Sequence, residues 1–347
     1  MTATAPEPMR TVARPTCVVC GGGGDPLYEG LTDRVWLAAG TWRLRRCRGA
    51  GCGTLWLDPA PAPEDLHHAY RAYYTHGDAA TLPAWALRLF AAIEGGYLAR
   101  RYGYEAAASG WRRALGLLAR LHPGLPPWFD LHVMYLPAAR RGRLLDVGCG
   151  DGGFLAGMRR LGWQVEGVEP DPASAELARG HGLAVRTGTL AADSFAAGSF
   201  DAVTLNHVVE HLPDPLAQLE HCRRFLAAAG CLVMTTPNAE SWGHRRFGRD
   251  WLSLDPPRHL NLFTVRSLSR LGEAAGFRVV DARTNVRNVD GVVLASRRLR
   301  ARGRYEWGRL GSPATRLAAQ FLNYTQRARL AVRPEQGEEL VLVLAKA

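Results

Sequence analysis

From Arg143 onward, short apolar runs alternate with amphipathic stretches. Runs at 143–147, 164–169, 183–187, 200–205, 230–235, 276–283 and 339–346 read as strands. Between them, 153–161, 172–180, 214–227 and 266–275 repeat apolar residues at helical spacing. Such alternation predicts an α/β fold with a doubly wound, mostly parallel sheet of about seven strands. The rhythm breaks twice, at a long segment from Pro237 to Thr264 and at a helical insertion near 305–331.

Upstream the pattern is helical. Residues 79–138 carry apolar faces at Trp85–Phe90 and Leu115–Leu121, broken by Pro123, Pro126 and Pro127. A helix opening at Glu64 runs through Leu66 and Ala69 to Tyr73-Tyr74, which would anchor packing or cover a ligand. Residues 64–140 are expected to form a helical linker and cap on the domain of residues 141–347. Trp85, Leu87, Phe90 and Ile93, with Arg88 and Arg100, also allow an interfacial lie on a membrane. Packing on the domain is the preferred expectation. Leu57–Pro63 has alternating prolines and reads as a stiff linker. Residues 1–15 are rich in Pro, Ala and Thr, without the apolar core of a secretion signal, and are expected to be a disordered tail.

Composition narrows the class. The chain has 347 residues and is 47% hydrophobic, enough for a large core plus a small accessory module. No run of 18 apolar residues occurs, so a cytoplasmic protein with no transmembrane segment is expected. The net charge of +11 comes almost wholly from arginine, Lys346 being the one lysine. That bias points to GC-rich, bacterial coding. The arginines are scattered, with small clusters at 43–48, 140–143 and 297–304, so a nucleic-acid partner is disfavoured. A small-molecule acceptor, anionic or carrier-linked, fits better.

Four of the seven cysteines fall early, as Cys17-Val-Val-Cys20 and Cys47-Arg-Gly-Ala-Gly-Cys52, with Gly21 and Gly53 following the pairs. Two close pairs on separate turns can converge on one tetrahedral ion. A structural Zn²⁺ site in a module over 16–56 is expected, with disulfides as the rival in an oxidising compartment. Four thiolates would close the site to catalysis.

The strongest motif is Leu144-Leu145-Asp146-Val147-Gly148-Cys149-Gly150-Asp151-Gly152-Gly153-Phe154-Leu155. A buried strand breaks into a glycine turn and resumes as a helix. A second strand ends in Glu169-Pro170-Asp171, about 20 residues after the glycine turn, where a carboxylate meets ribose hydroxyls. A nicotinamide or flavin dinucleotide is the rival ligand, and with it an NAD-dependent oxidoreductase. Asp151 in the turn disfavours a pyrophosphate there. The run resembles the S-adenosylmethionine (SAM) loop of class I methyltransferases. That resemblance implies that Asp146, Gly148, Cys149, Gly150 and Gly152, with Phe154, hold the methionine part of SAM, and that Glu169 and Pro170 face its ribose. The family's adenine-contacting acid is replaced by Thr189, so backbone groups of Thr189 and Leu190 would serve; Asp193 is open between a substitute acid and a solvated loop residue.

Two further clusters carry polar chemistry. The fourth strand ends in Asn206-His207-Val208-Val209-Glu210-His211, and Asn206 is expected to face the cofactor. His207, Glu210 and His211 share a face if the turn is helical. They could form a base with its orienting carboxylate or ligate a divalent metal. After the fifth strand comes Asp255-Pro-Pro-Arg258-His259-Leu-Asn-Leu-Phe-Thr264. Both stretches resemble a broad methyltransferase group that includes ubiquinone-pathway O-methyltransferases and bacterial sugar and natural-product methyltransferases. In the ubiquinone branch a Glu-x-x-Glu-His triplet accompanies a divalent cation. Here His207 stands for the first Glu, while Glu210 and His211 match. The resemblance implies SAM-dependent methylation of a sugar-linked or phenolic oxygen, with His207 or His259 as base and Arg258 on an acidic substrate. Carbon or nitrogen transfer to a sugar nucleotide or natural product, and a non-catalytic SAM-binding module, are the alternatives.

Overall fold

The structure, a computed structural model, describes residues 8–70, 83–108, 110–306 and 313–346. Thirteen strands occur among them. The first five lie in the leader: β1 (Thr11–Val12), β2 (Gly24–Leu31), β3 (Trp42–Cys47), β4 (Leu55–Leu57) and β5 (Ala60–Pro61). The helical cap follows, as α1 (Ala84–Tyr102), α2 (Arg112–Leu115) and α3 (Leu125–Leu131). Then strands and helices alternate: β6 (Arg143–Val147), α4 (Gly153–Arg160), β7 (Gln164–Glu169), α5 (Pro172–Gly180), β8 (Ala184–Thr187), β9 (Phe200–Asn206), α6 (Pro215–Phe225) and β10 (Leu226–Pro237). The last third holds α7 (Trp242–Phe247), β11 (Asn261–Leu262), α8 (Val265–Ala274), β12 (Phe277–Asn285), α9 (Val289–Arg302), α10 (Pro313–Val332) and β13 (Glu339–Lys346).

The main sheet has seven strands in the order β12-β13-β10-β9-β6-β7-β8. β13 runs antiparallel to both neighbours, and the pairs among β8, β7, β6, β9 and β10 are parallel. The strand order therefore reverses between β6 and β9, which opens a crevice beyond their carboxyl ends. Buried β strands need apolar residues on both faces. Leu144, Leu145, Val203, Leu205, Leu232 and Met234 supply them.

The N-terminal region departs from the expected plan. Residues 8–15, expected within a disordered tail, are ordered by β1 pairing with β5 and by Arg10 forking onto Asp65 at 2.7 and 2.9 Å. The expected linker is also tied down, since Asp58 accepts from the backbone N–H of Arg14 and from Arg45. Nor is the leader a separate module. β2, β3 and β4 form a four-stranded sheet whose last member is β11, from far along the chain. Leu31, Trp42, Leu44 and Leu57 share one apolar cluster with Trp251, Leu254 and Val293. The helix expected from Glu64 is a 3-10 turn, Pro63–Tyr70; Tyr73 and Tyr74 lie outside the described residues.

The insertion begins earlier than 305. Val289, Val292, Val293, Ser296 and Leu299 form one buried face of α9, and the arginines at 297–304 mask that periodicity in the sequence.

Candidate functional site

At the end of β6 the chain must turn sharply beneath its neighbours. Gly148, Gly150 and Gly152 all have positive φ, at 74°, 56° and 79°. A Cβ on Gly148 would lie 2.5 Å from Val208, and one on Gly152 would lie 2.4 Å from Leu183. Only glycine fits there. Glu169, at the end of β7, accepts the backbone N–H of Gly150 at 2.8 Å and of Asp171 at 2.9 Å. These bonds fix the carboxylate at the turn, and its remaining lone pairs can still accept hydroxyl protons. Burial raises its pKa. Asp146 is buried beneath the turn, and burial pushes its pKa up to about 7, against the 2.6 Å bond donated by Thr204. Cys149 is buried, Phe154 half-buried, and Pro170 and Thr189 exposed at the rim. The carbonyl of Leu190 accepts from Gln218, which leaves its N–H as the group available to a ligand. Asn206 accepts from Thr235 at 2.7 Å, and Asp193 is an exposed loop acid.

The cluster after β9 divides into two arrangements. His207 sits at φ 54°, in the left-handed region that a non-glycine residue seldom adopts. Its Nδ1 lies 3.2 Å from Glu210 and its Nε2 2.9 Å from Glu339. Burial lowers its pKa, but the bonds to Glu210 and Glu339 outweigh burial and the nearby Arg287, raising it to about 9. Both ring nitrogens are thus engaged, Nε2 by Arg287 at 2.6 Å as well as by Glu339, and the carboxylates favour the charged ring over the neutral one. That counts against the expected role of His207 as a base. Glu210 and Glu339 are buried; burial opposes ionisation, yet the cations hold each near 2. Glu339 also accepts from Arg287 at 2.6 Å and from Asn285 at 2.9 Å. Glu339 and Arg287 escaped the sequence reading because they begin β13 and follow β12, remote from any motif.

The second arrangement joins the two loops. Donor atoms of Glu210, His211 and His259 lie within 4.8 Å of one another. His211 Nδ1 is 3.0 Å from the carbonyl of Arg258, and His259 Nδ1 is 2.8 Å from that of Ser253. A ring nitrogen facing a carbonyl must carry the proton, so each Nε2 keeps its lone pair. Burial, then His259, lowers the pKa of His211 to about 4. The trio could hold a divalent ion, with its imidazoles oriented as metal-bound histidines usually are.

Arg258 does something other than expected. It is fully buried, and its guanidinium reaches Asp255 through Nε at 2.9 Å and Nη2 at 2.5 Å, and Asp33 through Nη1 at 2.8 Å. An arginine so enclosed is a clamp and offers no fork to an acidic substrate. Its partner Asp33 also accepts the backbone N–H groups of Val35, Trp36 and Ala38. The clamp thereby shapes a leader loop that reaches the site. Val35 and Trp36 line a cleft of about 160 Å³ with His207, His259, Arg287 and Asn288.

In the leader, the four early thiols converge. Their sulfurs lie within 4.8 Å of one another, with Cys17–Cys52 at 3.8 Å and Cys20–Cys47 at 3.4 Å. Thiolates at about 2.3 Å from a tetrahedral Zn²⁺ sit roughly 3.8 Å apart, so the spacing suits such an ion.

A model of the methyltransferase domain matches residues 125–282. The ubiquinone biosynthesis O-methyltransferase of Cereibacter sphaeroides is 35% identical over 168 residues, covering 43% of this chain and 68% of that protein. The chain belongs to the class I SAM-dependent methyltransferases. The protein of the same description from Xanthomonas oryzae pv. oryzae is 38% identical over 142 residues, 39% of this chain; the methyltransferase chain spans 59% of that relative's length. Among solved structures, geranyl diphosphate C-methyltransferase from Streptomyces coelicolor A3(2) matches with 20% identity and a TM-score of 0.41, over 60% of this chain and 72% of that one.

Proposed function

We propose that this methyltransferase moves the methyl group of SAM to an oxygen of a small hydroxylated acceptor, sugar-linked or phenolic. The observation that carries the reading is the pairing of the Gly148–Gly153 turn with Glu169 at the crossover of the sheet, beside the polar cleft. SAM supplies a sulfonium-activated methyl group, so the protein's task is alignment and proton removal. Gly148, Gly150 and Gly152 would present backbone N–H groups to the methionine part, Glu169 would accept the ribose hydroxyls, and the backbone of Leu190 would meet the adenine. His259 would take the acceptor's proton at Nε2, its Nδ1–H held by the carbonyl of Ser253. His207, locked between Glu210 and Glu339, would position that loop. The four thiols would hold a structural Zn²⁺ that contributes folding energy to the leader.

Turnover of a hydroxylated acceptor at saturating SAM tests the division between the histidines. His259→Ala should lower kcat by roughly 100-fold or more, in the range of a lost general base. Equal, full turnover in His259→Ala and His207→Ala would leave alignment alone to carry the reaction. The geometry of Glu210, His211 and His259 favours a second reading, in which that trio would hold a divalent ion and the ion would supply Lewis-acid chemistry beside the acceptor. Chelation that abolishes turnover, with recovery on adding a divalent ion, would select it over the free base.

A further inference from the structure

α10 packs Ala319, Leu322 and Leu330 inward but carries a second apolar face outward. It buries Asn323 and Gln326, at 2% and 7% exposure, yet exposes Leu317, Phe321 and Val332 at 75%, 69% and 77%. Leu317, Phe321, Tyr324, Ala328 and Val332 follow an i, i+4, i+7, i+11, i+15 progression. At 100° per residue they fall on one narrow stripe. Arg327 and Arg329 lie about 100° to either side of its centre, and both are exposed. Across Pro313–Val332 there are three arginines and no acid.

The neighbouring turn of the cap continues this character. Tyr324 donates to the carbonyl of Leu121 at 2.8 Å, and Gln320 bonds His122. Leu121 is 70% exposed, and Leu117, Leu118 and Trp111 are exposed too. Arg112–Leu121 again holds three arginines and no acid.

We propose that the face formed by α10 and the Arg112–Leu121 turn docks on the surface of an anionic phospholipid bilayer. An apolar stripe with cations along both flanks suits that solvent boundary. The side chains reach the acyl layer, the guanidinium groups meet headgroup phosphates, and tryptophan favours the same depth. Charge also separates this partner from a second copy of the chain. A two-fold contact would set arginine-only segments against their own copies, and like charges repel. Among the described residues no helix is long and apolar enough to cross a membrane; surface docking needs only one apolar stripe.

The test is co-sedimentation of the full chain with vesicles of phosphatidylglycerol and phosphatidylcholine, compared with phosphatidylcholine alone. The wild type should pellet with the anionic vesicles and several-fold less with the neutral ones, and added salt should release it. A Leu121→Ser, Leu317→Ser, Phe321→Ser variant with an unchanged melting temperature should lose most of the binding. Arg120→Gln with Arg327→Gln should weaken binding to anionic vesicles selectively. Absence of wild-type binding to anionic vesicles overturns the proposal, as does retention of full binding by both variants. A dimer in solution that the triple serine variant dissolves would likewise overturn it, by assigning the face to a second copy.

Discussion

Glu169 accepts two backbone N–H groups while keeping lone pairs for a ligand, so its removal should act on affinity before anything else. Glu169→Ala is expected to weaken S-adenosylhomocysteine about 10- to 100-fold, the cost of lost bonds to a charged acceptor. Asp193→Ala should change it little; equal small effects would misplace the ribose site. His207 carries a different prediction. Its pKa is raised to about 9 from an ordinary value of 6.5. The charged form is therefore favoured in the folded protein. The resulting stabilisation is fully present below pH 6.5 and is lost as pH rises through 9. Melting temperature should fall across that window, and His207→Gln should flatten the fall. A wild-type profile unchanged from pH 6.5 to 9.5 would contradict the charged network.

At the scale of elements, one link between the leader and the loop after β10 is the buried Asp33–Arg258–Asp255 group. Removing one partner of a buried ion pair costs about 3–5 kcal/mol because the other charge is stranded. Asp33→Ala leaves Arg258 its two bonds to Asp255, so it should cost less than that full penalty, while releasing the loop of Val35 and Trp36 from the cleft. Trp36→Ala, which leaves the clamp intact, should raise the acceptor KM more than it changes kcat or cofactor affinity. A Trp36→Ala enzyme with unaltered acceptor KM would remove the leader from the site. The sequence reading placed strands 143–147, 164–169 and 339–346 residue for residue, because buried runs bounded by glycine or a charged turn leave little freedom. It missed β11, two residues long, whose pairing with β4 depends on a contact across some 200 positions. Arg258 read as a substrate ligand for the same reason, since Asp33 lies far off in sequence. The glycine turn and Glu169 were legible because both belong to one local βαβ unit. His259 meeting Glu210 and His211 was not, because two separate loops bring them together.

For the whole molecule, the leader and the methyltransferase sheet form one packed body, joined through β11, Arg14 and Thr264, whose hydroxyl donates to the carbonyl of Cys52. Metal analysis of the purified chain should give about one zinc per chain. Cys47→Ser should release that zinc and destabilise the leader, while the Gly148–Glu169 site keeps its residues. Fully folded wild-type protein free of metal would refute the zinc site. The central claim is that the turn at Gly148–Gly153 and Glu169 hold the SAM-derived cofactor. Isothermal titration of the zinc-loaded chain with S-adenosylhomocysteine addresses it most directly. One binding site per chain, with affinity lost in Glu169→Ala, is the predicted result; a folded chain that binds no S-adenosylhomocysteine but binds NAD would contradict it.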